Sequence, residues 1–292
     1  MLSTSLSRDK ELLVLLHSLS MSTLRLLNAD IVACTQCTRL VAYRQAVAET
    51  KRRQFRDWTY WGKPIPGFGD PNARLYILGL APAAHGGNRT GRVFTGDRSG
   101  DWLYEALHHF GFANQALSTH AQDGLTLRDC YIGATVRCAP PANKPTPDEF
   151  TACRPFVLRE LRLLKSVRVV VVLGKIAFDH YLKATRELGH HLPAPLPKFG
   201  HGAIYTMPWG VTLIGSYHPS QQNTFTGKLT RPIKDVNLIG NGPKVLAAID
   251  RVGNDLVIDE GGWTCGKDGQ SAPVSQGMPT VRVAKLSVGG GR

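Results

Sequence analysis

Short apolar runs alternate with amphipathic stretches from residue 74 to residue 252. The runs predict strands at 74–80, 129–137, 168–173 and 211–216, and the amphipathic stretches predict helices near 99–111, 147–165, 175–188 and 241–252. Strand and helix alternating in this way make a three-layer α/β/α sandwich around a central, mostly parallel four-stranded sheet. The run from Val167 to Leu173 is apolar at nearly every position, as a strand covered by helices on both faces must be, which places it centrally. Thr146 followed by Pro147, Asp148 and Glu149 is a helix-start signal, with a capping hydroxyl, a proline in the first turn and acids facing the amide end. Ser99 is the expected cap of the helix near 99–111.

The ends differ from this middle. Residues 1–21 read as an appended helical extension, 22–253 as the main domain, and 254–292 as a disordered tail rich in Gly, Ser, Pro and Val. No run reaches the roughly 20 apolar residues that cross a bilayer, and no signal-peptide pattern opens the chain, so a cytosolic protein is expected. Thirty-five Lys plus Arg against 22 Asp plus Glu give a formal charge of +13 over 292 residues, which favours a polyanionic partner.

The glycine-rich stretch GLAPAAHGGNRTGRVFTGD, Gly79 to Asp97, follows directly on the first strand. Glycine lets backbone approach a ligand closely, and a loop at the C-terminal end of a strand is where an open α/β sheet builds its binding crevice. Asn88, Arg89, Thr90, Arg92, Phe94 and Asp97 are interleaved among those glycines. A second strand end carries Tyr217, His218, Pro219 and Ser220, and in a parallel sheet it meets the same edge as Gly79. Residues 221–230 then form a polar, basic loop with Phe225 in its middle, suited to following phosphates and wedging into a base stack.

In a cytosolic chain six cysteines point to thiols, metal ligands or catalysis rather than to disulfides. Cys34 and Cys37 form a C-x-x-C pair, while Cys138 and Cys153 flank the loop APPANKP. Together they make a four-cysteine site that zinc or a 4Fe-4S cluster accepts. Cys130 reads as a core residue and Cys265 as an incidental thiol.

The glycine stretch, the four cysteines, the run VRCAPPANKP and the run YHPS, in this order, resemble the uracil-DNA glycosylase superfamily, and in particular its family 5 with an iron-sulfur cluster. The resemblance spans about residues 30–252. It implies a monofunctional DNA repair glycosylase acting on double-stranded DNA that contains damaged bases, with no membrane association, as a cytoplasmic, nucleoid-associated monomer. It also implies a 4Fe-4S cluster on Cys34, Cys37, Cys138 and Cys153. His218 would hydrogen-bond the leaving base, Phe94 would stack on it, and Gly79, Ala81, Pro82, Ala83, His85 and Ser220 would line the base site. Most superfamily members carry Asp, Asn or Glu where this chain has Ala81, so water would be oriented by Asn88, Asp97, His85 or a main-chain carbonyl. Arg89, Arg92, Gln222, Asn223 and Phe225 would meet DNA. Family 4 enzymes read uracil with an Asn where this chain has Gly133, Ala134 and Thr135, which implies a broader base range that includes hypoxanthine. The competing expectation is a metal-stapled nucleic-acid-binding protein without catalysis.

Overall fold

In the computed structural model, residues 23–220 and Asn223 are described. The four strands read from the sequence are β2 (Leu75–Gly79), β3 (Cys130–Ala134), β4 (Val169–Leu173) and β6 (Thr212–Ser216), all parallel to their neighbours in the order β3-β2-β4-β6. The sheet is larger than expected. Two short antiparallel strands, β1 (Phe68–Gly69) beside β3 and β5 (Ile204–Thr206) beside β6, complete a six-stranded sheet. Two and three residues are too few to show an alternation of apolar and polar positions.

Successive strand residues point to opposite faces, and the core divides accordingly. Leu75, Ile77, Ile132, Val169, Val171 and Ile214 face α4 (Arg98–His109), where Leu103, Tyr104 and Leu107 cover them. Tyr76, Leu78, Val170, Val172 and Leu213 face α5 (Pro147–Leu163) and α6 (Lys175–Glu187), with Phe150, Phe156, Phe178 and Tyr181. A helix described from 23 to 33, α1, joins that layer through buried Leu24, Leu27 and Ile31. α2 (Thr38–Thr50) and the short α3 (Gly87–Thr90) complete the set.

Helix starts follow the local chemistry with one correction. Thr146 caps α5 in a full capping box with Glu149, whose carboxylate is also gripped at 2.7 Å by Arg39 of α2. The cap of α4 is Asp97 rather than Ser99, because the Asp97 carboxylate accepts from the Gly100 N–H at 3.0 Å and the helix starts one residue earlier. The expected helix at 241–252, the extension at 1–21 and the tail at 254–292 lie outside the described residues.

Candidate active site

β2 and β6 end on the same edge of the sheet, so Gly79 and the 217–220 turn face each other across the end of β4. Between them lies a cavity of about 500 Å³ whose lining includes Gly79, Ala81, Pro82, Ala83, Phe94, Asp97, His218 and Ser220. Eight of the residues expected from the sequence therefore meet at one place. Phe94 has a left-handed backbone, φ 50°, and its ring stands 5.7 Å from the His218 imidazole, tilted 32°. Gly79 admits that ring, since a β-carbon there would lie 2.8 Å from Phe94 Cζ.

His218 is held by its own turn. Its carbonyl accepts from the Ser220 N–H at 2.7 Å and from Asn223 Nδ2 at 2.8 Å. Burial pushes its pKa down to about 4, so the imidazole is neutral at physiological pH. Burial pushes the Asp97 carboxyl up, against the hydrogen bonds it accepts from Gly100 and Ser99. One wall of the cavity was missed. Asn143 reaches it from the loop after β3, where Ala142 and Asn143 both have positive φ, 52° and 56°. Asn is among the side chains that tolerate this backbone best, and an Asn between the prolines of PPANKP was the available signal.

Several expected site residues serve elsewhere. Asn88 is buried and spends its amide on the Arg44 carbonyl, 3.1 Å away in α2, outside the cavity. His85 faces a neighbouring hollow of about 780 Å³ and pairs with the Tyr60 hydroxyl at 3.1 Å. Arg89 is buried between the rings of Phe55 and Trp58, 3.8 and 4.1 Å from their centroids, and donates to the carbonyls of His85 and Gly96 at 2.8 Å. It clamps the glycine loop and lines the neighbouring hollow. Arg92 is likewise internal, bonded to Thr95 Oγ1 at 2.9 Å, Ser118 Oγ at 2.8 Å and Asp123 Oδ2 at 2.7 Å. Asn223 turns its amide inward to His218, and Gln222 and Phe225 lie outside the described residues. The larger hollow shares Ala83, Asp97, Arg98 and Asn143 with the cavity, but His218 and Phe94 line only the smaller one.

The four cysteines come from three places into one core cluster. Cys34 lies between α1 and α2, Cys37 is the N-cap residue of α2, Cys138 follows β3, and Cys153 sits in α5. Their thiols feel one another. Burial and then the neighbouring thiols push Cys153 to about 11, while Cys138 is pushed to about 12 against the pull of Arg44. No three His, Cys, Asp or Glu side chains among the described residues close around a single metal ion. The donor set, four thiols with the charges of Arg44 and Arg137 acting on Cys138 and Cys153, suits a thiolate-bound, net-negative metal group, whether zinc or an iron-sulfur cluster.

Comparison with known proteins agrees with this geometry. Residues 220–290 match the model of the PmbA/TldA metallopeptidase C-terminal domain. A metalloprotease TldD homolog of Buchnera aphidicola is 50% identical over 64 residues, 22% of this chain and 13% of that protein. The model match begins at Ser220 and takes in the 221–230 loop read from the sequence as facing DNA, together with the expected last helix and tail. Residues 66–237 match the model of the uracil DNA glycosylase superfamily. A type-5 uracil-DNA glycosylase of Mycobacterium bovis is 52% identical over 210 residues, covering 72% of this chain and 77% of that protein. Another, from Thermus thermophilus, is 50% identical over 203 residues, 69% of this chain and 89% of its own. Because the model match takes in both the glycine loop and the His218 turn that close on the cavity, this chain belongs to the uracil-DNA glycosylase superfamily.

Proposed function

We propose that the chain is a monofunctional DNA glycosylase that excises uracil from DNA by hydrolysing its N-glycosidic bond and leaves an abasic site. The carrying observation is a neutral His218 whose ring lies 5.7 Å from that of Phe94 in one cavity at the tips of β2 and β6. A base must leave the stack to reach such a cavity, and an aromatic face holds it there. As the bond from C1′ to the base breaks, its electron pair goes to the base and charge gathers on the pyrimidine oxygen. A neutral imidazole N–H aimed at that oxygen stabilises the charge without giving up its proton, and a preorganised donor of this kind is worth about 3 kcal/mol. Water then adds to the electron-poor sugar carbon and sheds a proton.

Ala81 supplies no base for that proton, so the task falls to Asp97 in the cavity lining, with Asn143 as a second polar contact for water. Among the described residues no lysine lines the cavity, which leaves no amine to form a Schiff base with the sugar and nick the strand. Ala134 stands in the lining where an amide reader would discriminate between bases. A wall without such a group accepts hypoxanthine and other damaged bases as well as uracil. The formal charge of +13 suits double-stranded DNA as the partner.

The cysteine set is proposed to hold a 4Fe-4S cluster on Cys34, Cys37, Cys138 and Cys153. Four cysteine thiols whose charges act on one another are a ligand set that such a cluster takes. When bound, the cluster would tie the α1–α2 junction to α5 and the loop after β3, a structural service. A Cys153→Ser protein is expected to lose iron and soluble yield together; full iron content would remove Cys153 from the ligand set.

A duplex carrying one uracil tests the function. The expected result is free uracil, with strand scission only after alkali. Breaks before alkali would overturn the monofunctional assignment, and tight binding without release would favour a non-catalytic nucleic-acid-binding protein.

A further inference from the structure

Arg44 lies in α2 with 3% of its surface exposed. Its guanidinium makes one long hydrogen bond, from Nη2 to the Cys34 carbonyl at 3.4 Å, while Nε and Nη1 are buried without partners. Among the described residues no carboxylate stands within ion-pair distance of it. An arginine cannot discard its proton in a protein. A buried charge left unpaired costs several kcal/mol, so this position demands an anion.

Arg137, the other cation beside the cysteines, is already balanced, because Glu160 accepts from it at 2.6 Å. Arg44 has no such partner: it donates to the Cys34 carbonyl, its charge acts on the Cys138 thiol, and its other side lines a hollow with Asn28, Gly62 and Lys63 that supplies no anion. We infer that Arg44 is the counter-charge of the thiolate-bound iron-sulfur group, its Nε and Nη1 supplying charge-assisted donors to sulfur. The inference rests on the cofactor reading above, and it makes Arg44 a positioning residue for the cluster rather than a catalytic one. Through its backbone the same residue also anchors the glycine loop, since the Arg44 carbonyl accepts from the Asn88 amide of α3 at 3.1 Å.

The test compares the full-length wild type with R44M and R44K, purified anaerobically. Iron and sulfide per chain, the reduction midpoint, and the rate of iron release to a chelator are measured. Losing a donor beside metal ligands commonly weakens metal binding by about 10- to 100-fold. R44M should therefore release iron about tenfold faster than the wild type, with a more negative midpoint, because a reduced cluster would lose its neighbouring cation. R44K keeps the charge but not the planar donors, so it should recover most of the midpoint and less of the retention. If R44M is insoluble, R44K carries the comparison through its release rate. Iron in the wild type with unchanged midpoint and release in both variants would overturn the role of Arg44 alone, and a wild type without iron would overturn the cofactor reading and this inference with it.

Discussion

A β-carbon on Gly79 would lie 2.8 Å from Phe94 Cζ and 2.9 Å from Cε2. The absence of a side chain at the end of β2 is thus what lets the Phe94 ring stand over the cavity. Gly79 has no positive φ, so Gly79→Ala should leave the backbone unstrained and act by pushing the ring aside. Stacking a base on an aromatic is worth about 1–3 kcal/mol, and losing part of it should slow single-turnover excision by roughly tenfold at nearly unchanged melting temperature. An equal loss in Phe94→Ala and in the double variant would confirm that both act on one contact, whereas additive losses would separate them.

The neutrality of His218 sets a pH signature. Its folded pKa, about 4, lies below the ordinary histidine value of 6.5. Between those values the unfolded chain takes up a proton that the folded chain refuses, so stability is full above about pH 6.5 and is lost as pH falls toward 4. The excision rate should show no His218 inflection between pH 6 and 8. The acid limb should come from Asp97, whose carboxyl is held above its ordinary range by burial. Single-turnover rates across pH for the wild type and His218→Gln check this, with the variant slower by about 10²-fold. A limb near pH 6.5 present in the wild type and absent in the variant would refute a neutral donor.

The four central strands and the α4, α5 and α6 helices were legible because their signals are local: apolar runs, a capping box, a proline in a first turn. The cavity was legible because parallel strands bring their C-terminal ends to one edge, which places Gly79 and His218 together. What the sequence concealed was the use of each polar side chain. Arg89 and Arg92 look like phosphate contacts in a glycine loop, yet one packs against the rings of Phe55 and Trp58 and the other is tied to Thr95, Ser118 and Asp123. A loop with this many glycines needs internal clamps, and partners distant in sequence, such as Phe55 and Asp123, supply them. Asn143 escaped notice for the opposite reason, since its loop looked like a spacer between two cysteines.

The Arg92 clamp separates stability from DNA affinity. Burial would push the Asp123 carboxyl up, but the Arg92 hydrogen bond and the N–H groups of Leu125 and Thr119 hold it well below the usual carboxylate range. Arg92→Ala would strand that charge with its side chain 6% exposed, at a cost of about 3–5 kcal/mol. Thermal or urea unfolding should report the loss. The slope of log affinity against log salt should stay at the wild-type value, whereas loss of a phosphate contact would lower it by about one.

Ala81 tests what sets the range of bases. It lines the cavity with Ala83 and Ala134, at the position where most of the superfamily carries a polar side chain. With Asp97 and Asn143 in the same lining to hold water, a carboxylate or amide at 81 adds a further polar contact without removing the first. Ala81→Asp and Ala81→Asn should therefore leave uracil excision intact or faster. A purine is broader than a pyrimidine, so the added side chain should slow hypoxanthine release much more than uracil release, and the difference is the effect of narrowing one wall. Single-turnover rates on uracil and hypoxanthine duplexes for the wild type and both variants decide it. Equal losses on the two bases would mean that Ala81 serves packing and that the range is set at Ala134 and the loop of Asn143.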